Sequence, residues 1–344
     1  QSLLMEKEFQ HFIIWWQWRV VTILNVQSMQ PMAQENYLKI LLKYLTLLHP
    51  MDILTTNSPV SSNRFIKANT ETVTLSEIEN HHIIPVFSKD NQLAISHSDF
   101  IKNVFDAVHY VHSDQLVLPP SIRVSHPIQG RIPDARDKQP HELLDHEKTL
   151  YYERMMFAIE LPSIVTRLGD QHVNLVVGGV KSYHKDKLSG KLSDQTFKIY
   201  VGFKVNVCSN LCVSTDGSLL EIKTKHPDTL FLATIDLLES FDQQRMLERM
   251  SKMQDQILTR VEFEQLMGTL RVSFYEPNRD TSNWLGDQQL GQVVRGYFDN
   301  PDFKANPNGD ISLWNVYNLL TEANKSSYID HALERSAWCF NLMG

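Results

Sequence analysis

The densest chemistry in the chain lies between residues 181 and 204. Six lysines, Lys181, Lys185, Lys187, Lys191, Lys198 and Lys204, stand there against two aspartates, Asp186 and Asp194, with Tyr183 and Tyr200 interleaved. Phosphates call for cations and unpaired bases for an aromatic face, so this pattern suits a single strand of nucleic acid. On that reading Lys198, Tyr200 and Lys204 form a platform, and Lys181, Lys185 and Lys191 contact phosphates. The same residues also suit a solvated hairpin, because lysines on exposed strands deter edge-to-edge pairing. A second basic patch, Arg123, Arg131, Arg136 and Lys138, is partly offset by Asp134 and Asp137.

Asp216 followed by Glu221-Ile222-Lys223 has the D…E-x-K order of metal-dependent nucleases. There, carboxylates hold Mg²⁺ and a lysine helps to activate water. Asp216-Gly217 is also a turn signal by itself, and the turn is the stronger reading. Lys325, Ser326 and Ser327 are candidates for anion binding, since free N–H groups at a helix start beside a lysine favour a phosphate. The plain alternative is that Asn324 to Ser327 stops one helix and caps the next.

Other constellations carry less. In His141-Glu142-Leu143-Leu144-Asp145-His146-Glu147 the histidines are five apart, roughly 140° round a helix, so they do not form the zinc pair of H-E-x-x-H. Asp106, His109 and His112 follow at i, i+3 and i+6, without a clear further ligand. Ser189-Gly190-Lys191 lacks the upstream glycine and the hydroxyl of a P-loop. Cys208, Cys212 and Cys339 are few and odd in number, which fits a reducing, cytoplasmic setting and small buried side chains. No cofactor and no metal site is assigned.

The elements that must hold these residues change in character along the chain. Ser76 to Glu79 opens a short helix, Ile83 to Phe87 is a short strand, and Ser98 to His109 is an amphipathic helix. Residues 113–141, with five prolines, read as a long irregular segment. Met155 to Leu161 and His172 to Val177 read as strands, and Phe197 to Cys208 alternates strictly. Its odd positions are apolar, and its even positions, Lys198, Tyr200, Gly202 and Lys204 among them, make a more polar face. From Asp228 onward the pattern is helical: Leu230 to Phe241, a capping box at Thr259 and Glu262, a helix from Asp287 through Phe298, one from Ser312 to about Glu322, and a last one after Ser326 or Ser327. The expected class is α+β, a small and mainly antiparallel sheet over about 155–215 followed by a helical C-terminal half.

The 344 residues carry 33 Lys+Arg and 40 Asp+Glu, a formal net charge of -7, with 42% apolar residues. This composition excludes disordered, collagen-like and disulfide-scaffold chains and argues against a strongly basic nucleic-acid coat protein. Residues 1–50 differ from the rest: they hold Trp15, Trp16 and Trp18, the apolar run Phe12 to Val26 interrupted by Arg19, and the lysine-bearing stretch Tyr37 to Leu48. The run is too short to span a bilayer and lacks a cleavage site after it. Residues 1–50 are read as upstream extension and Met51 as the start; 51–150 as a mixed segment, 151–225 as the sheet core, and 226–344 as a helical region truncated at its C-terminus. No membrane association is expected for 51–344.

Four long stretches resemble one family. They are Val124-Ser-His-Pro-Ile-Gln-Gly-Arg-Ile-Pro133, Glu147-Lys-Thr-Leu-Tyr-Tyr-Glu-Arg-Met155, Val207-Cys-Ser-Asn-Leu-Cys-Val213 and the stretch from Leu313-Trp-Asn-Val-Tyr-Asn to Ser327-Tyr-Ile-Asp330. They are similar to a domain-of-unknown-function family common in Bacteroidetes and their mobile elements. A more distant similarity, to the phage/plasmid-like protein family, rests on Cys208 and Asn210 and on Trp314, Asn318, Thr321, Asp330 and His331. The resemblance implies a genetic setting rather than a mechanism. With the lysine pattern it leads to the expectation of a non-enzymatic accessory protein that binds single-stranded DNA. The alternatives are a Mg²⁺-dependent nuclease and a protein-interaction module acting against host defence.

Overall fold

The computed structural model describes residues 64–81, 95–135, 137–183, 194–214 and 217–343. The expected strand at Ile83 to Phe87 and the segment 1–50 lie outside the described residues. The class is the expected one, an antiparallel sheet followed by a helical C-terminal half. The sheet is wider than its central hairpins suggested. It orders β1 (Thr70–Val73), β2 (Ser121–Ser125), β5 (Arg154–Leu168), β6 (Gln171–Ser182), β7 (Gln195–Val205) and β8 (Leu211–Cys212), with β9 (Leu219–Thr224) also on β7. All of its pairings are antiparallel. Gly169, at φ +58, turns β5 into β6. The β5–β6 register shifts between Leu161 and Val165, where Pro162 cannot donate a ladder hydrogen bond.

The segment 113–141 is not irregular throughout. It contains β2 and β3 (Pro127–Arg131), and β3 pairs with β4 (Lys148–Tyr152) in a separate two-stranded arm. The reason is that strand pairing satisfies the backbone whatever the side chains, so prolines at the strand ends do not forbid it. Pro140–Glu142 and Asp145–Glu147 are single 3₁₀ turns rather than one charged helix.

Helix α1 (Leu75–His81) precedes α2 (His97–Val111), which starts on a capping box of Ser96 and Asp99. Phe100 of α2 packs edge-on to Phe157 and against Phe197, and Ile101, Val104 and Val108 extend the same buried stripe. This layer, joined by α3 (Pro227–Ser240), covers the sheet face of Phe157, Ile159, Val177, Phe197, Ile199 and Val201. Alternate residues point the other way. Met156, Ala158, Val176, Tyr200 and Leu211 form a second core with Ile329, Ala332 and Leu333 of α8 (Ile329–Met343). The sheet is therefore covered on both faces.

The remaining elements are α4 (Gln243–Asp255), β10 (Ile257–Leu258), α5 (Arg260–Phe274), α6 (Asp287–Asp299), β11 (Ile311–Ser312) and α7 (Leu313–Asn324). The Thr259 hydroxyl accepts from Glu262 N, and Glu262 Oε2 accepts from Thr259 N at 2.8 Å, as the sequence predicted. No helix among the described residues is long and apolar enough to cross a membrane.

Candidate functional site

The face of β7 expected to carry a nucleic-acid platform lies beneath α8. Tyr200 is fully buried; its ring lies over Gly178 and its hydroxyl donates to Phe157 O at 3.1 Å. Burial pushes its phenol pKa far upward. Lys198 is buried and pairs with Glu334 of α8, and Lys204 pairs with Glu160. Lys181 points to the opposite face, fully buried, its Nζ 4.3 Å from the Phe197 ring centroid and 3.4 Å from Thr196 O. The burial of Lys181, Lys198 and Tyr200 and the pairing of Lys204 correct the platform reading for these four residues. The alternation along β7 was read correctly, but polar side chains at alternate positions do not exclude a covering helix that brings its own acids. Lys185, Lys187 and Lys191 lie outside the described residues.

The second basic patch is equally engaged. Arg123 is buried and donates to Thr70 and Thr72 across β1, Arg131 donates to Lys138 O, and Lys138 pairs with Glu147. Arg136 lies outside the described residues. Of the nuclease constellation, Glu221 and Lys223 are exposed on β9, whereas Asp216 lies outside the described residues. Among the described residues no group of three or more His, Cys, Asp or Glu is placed to hold a metal ion. His109 lies edge-on against Phe105, and burial lowers its pKa.

The candidate anion site is also filled from within. Lys325 Nζ donates to Cys208 O and, at 2.6 Å, to Glu322 Oε2, and Glu322 is bridged in turn by Lys67. Ser326 Oγ donates to Ala323 O at 2.7 Å, and Ser327 Oγ donates to Asn324 Oδ1 while accepting from Gln289 and Arg335. These residues cap and join helices and leave no open anion cradle, which corrects the anion reading in favour of the capping one.

What tertiary structure does assemble is a polar junction. The turn after β7 puts Ser209 at φ +59 and turns Asn210 inward, where its Nδ2 donates to Asn318 O at 3.0 Å and Asn318 Oδ1 at 3.1 Å. Asn318 donates to Trp314 O, and Thr321 donates to Tyr317 O. Cys208 sits beside Asn318, and burial pushes its thiol up to about 11, which disfavours the thiolate near neutral pH. Burial pushes the Cys212 and Cys339 thiols upward as well. The long stretches that carried the family resemblance thus meet in pairs. The Val207–Val213 turn meets α7, and β3 meets β4 in the arm.

Sequence reading missed one surface. Helices α5 and α6 run antiparallel, with Phe263 stacked on Tyr297 at 4.2 Å and Arg271 paired with Asp287 at 3.0 Å. Their outer sides leave Val261, Val272, Tyr275 and Phe298 at 60–69% exposure. Gly268 and Gly291 lie on the same helices, with open space where a Cβ would stand. The signal was present in α5, whose buried residues Phe263, Met267 and Leu270 do not account for Val261 and Val272.

An antiparallel sheet with helices on both faces, joined to a helical C-terminal half through buried asparagines, makes this a mixed α and β fold. Residues 50–344 match the family model described as "Domain of unknown function, B. Theta Gene description (DUF3871)". The chain belongs to that family. No curated protein and no solved structure matches it.

Proposed function

We propose that the domain is a non-enzymatic protein-interaction module whose contact surface is the outer side of α5 and α6. One observation carries this reading: four large apolar side chains on one helix pair stand in solvent, Val272 and Tyr275 one turn apart at the end of α5, Val261 about three turns before them, and Phe298 on α6. Solitary exposed apolar residues need no explanation, but a group of them on one surface marks a contact site. The burial of Lys181, Lys198 and Tyr200 takes these three out of the competing basic surface. The setting we infer is a cytoplasmic accessory protein of a mobile element related to phage and plasmid proteins. It rests on the matched stretches and on the three buried cysteines.

The test is photo-crosslinking in the native cell from position 268, with position 167, at the exposed Arg167 on β5, as control. An adduct that forms from 268, fails from 167 and disappears with Phe298→Glu supports the module. Equal adducts from both positions, or none from 268, overturn it.

A second reading keeps single-stranded DNA as the partner through Lys185, Lys187 and Lys191, on the strength of their density in an acidic chain. Salt-sensitive binding by fluorescence anisotropy that falls with all three changed to Ala would favour it over the first.

A further inference from the structure

We propose that Arg335 of α8, beside the first turn of α6, binds the phosphate group of a ligand. The site uses none of the exposed apolar residues of α5 and α6, so it stands or falls separately from the interaction reading. One corner of the guanidinium is taken within the chain: Nη1 donates to Gln289 Oε1 at 3.2 Å and to Ser327 Oγ at 2.8 Å. The remaining edge, Nε with Nη2, is the one that can hold two oxygens of a single anion side by side. Nε is buried without a hydrogen-bond partner, and Nη2 of this part-exposed residue donates to none of the described residues. The edge is distinct from the groups of Lys325, Ser326 and Ser327, whose own donors are bonded inside the chain.

No carboxylate among the described residues offsets this charge. The one ionisable group that acts on Arg335 is Cys339, and burial pushes that thiol upward and keeps it neutral. Burial also works against the charged form of Arg335 itself. A half-buried guanidinium facing only neutral acceptors is an uncompensated charge, and an entering anion compensates it. The neighbouring helix adds to the positive field. Gln289 Oε1 accepts from Gly286 N at 3.0 Å as well as from Arg335, so one amide oxygen stands between the guanidinium and the positive end of α6. Asp287 in that turn is paired with Arg271 at 3.0 Å. Trp338, three residues along α8 from Arg335, stacks on Trp284 at 5.4 Å, and this apolar wall strengthens charge pairing beside it. Charge selects the ligand. A guanidinium and a helix N-terminus together present about +1.5, which matches a phosphate monoester at about −1.5 to −2 better than a carboxylate at about −1.

Titration calorimetry of the full chain tests this, with inorganic phosphate, phosphoserine and acetate as probes at matched ionic strength. Inorganic phosphate or phosphoserine is expected to bind with a Kd of about 0.1–1 mM, and the tighter of the two tells a free ion from a phosphorylated side chain. Acetate is expected to bind about tenfold more weakly or not at all. Arg335→Lys keeps a charge but loses the fork, and weakens phosphate binding about tenfold. A second measurement needs no variant: modification by phenylglyoxal, located by peptide mass spectrometry, is slowed by phosphate at Arg335 and not at the exposed Arg167. No phosphate binding up to about 10 mM overturns the site. So does binding indifferent to Arg335→Lys, or equal protection at both arginines. Acetate binding as tightly as phosphate overturns the ligand class.

Discussion

Replacing Lys325 by Met tests whether the junction between the turn after β7 and α7 is held by charge-assisted bonds. Lys325 is buried and donates to Cys208 O and to Glu322. Methionine keeps most of the packing of the lysine stem and removes the ammonium. The Cys208 carbonyl then loses a buried donor, at a cost of about 1–3 kcal/mol. Burial lowers the Lys325 pKa, so relief from burying a charge offsets part of that loss. Glu322 is a quarter exposed and keeps Lys67, itself half exposed, and such a pair contributes under about 1 kcal/mol. The expected net loss is about 1–2 kcal/mol, or about 2–8 °C in Tm. Urea unfolding followed by tryptophan fluorescence measures it, with Lys67→Met as the control that costs under about 0.5 kcal/mol.

The pH dependence adds a second readout for the same variant. Burial works against the ionised form of Glu322, but Lys325 and Lys67 overcome it and hold the carboxyl below its usual range. A carboxyl lowered on folding contributes stability in full above its unfolded pKa of about 4.3 and loses it as pH falls through the folded value. Lys325→Met flattens this acid limb. Stability equal to wild type at pH 7, or an acid limb of unchanged slope, refutes the account of the junction.

Three further outcomes are expected. Gly178→Ala puts a Cβ 2.1 Å from Phe157 O and 2.6 Å from the Tyr200 hydroxyl, and costs about 3 kcal/mol or more; a Tm near wild type would show that the strands can part there. Thr259→Ala removes the reciprocal cap of α5 and costs about 1 kcal/mol in urea unfolding, whereas Thr259→Asn keeps most of it. Lys198→Ala lowers stability by about 2 kcal/mol by leaving Glu334 without its ammonium, and leaves affinity for single-stranded DNA unchanged in anisotropy titrations. A tenfold loss of that affinity at unchanged stability would restore the platform reading.

Local features of the sequence determined most of the elements. The capping box at Thr259, the apolar stripe of α2 and the alternation along β7 act over a few residues, so they are legible without knowing the fold. Helix α4 was missed because its buried stripe, Met246, Met250 and Met253, is short and set among charges. The β3–β4 arm was missed because its strands are five residues each and its prolines mask the pattern.

Only tertiary structure decided what the polar residues are for. Lys198 and Lys204 have the spacing of an open basic face, and nothing within β7 reveals that Glu334 arrives from a helix more than a hundred residues later. Asn210 and Asn318, 108 residues apart, gain meaning only when the turn meets α7. A lysine in a sequence is a charge in search of a partner. Whether that partner is a phosphate outside or a carboxylate inside depends on desolvation, which is set by long-range packing and not by spacing along the chain.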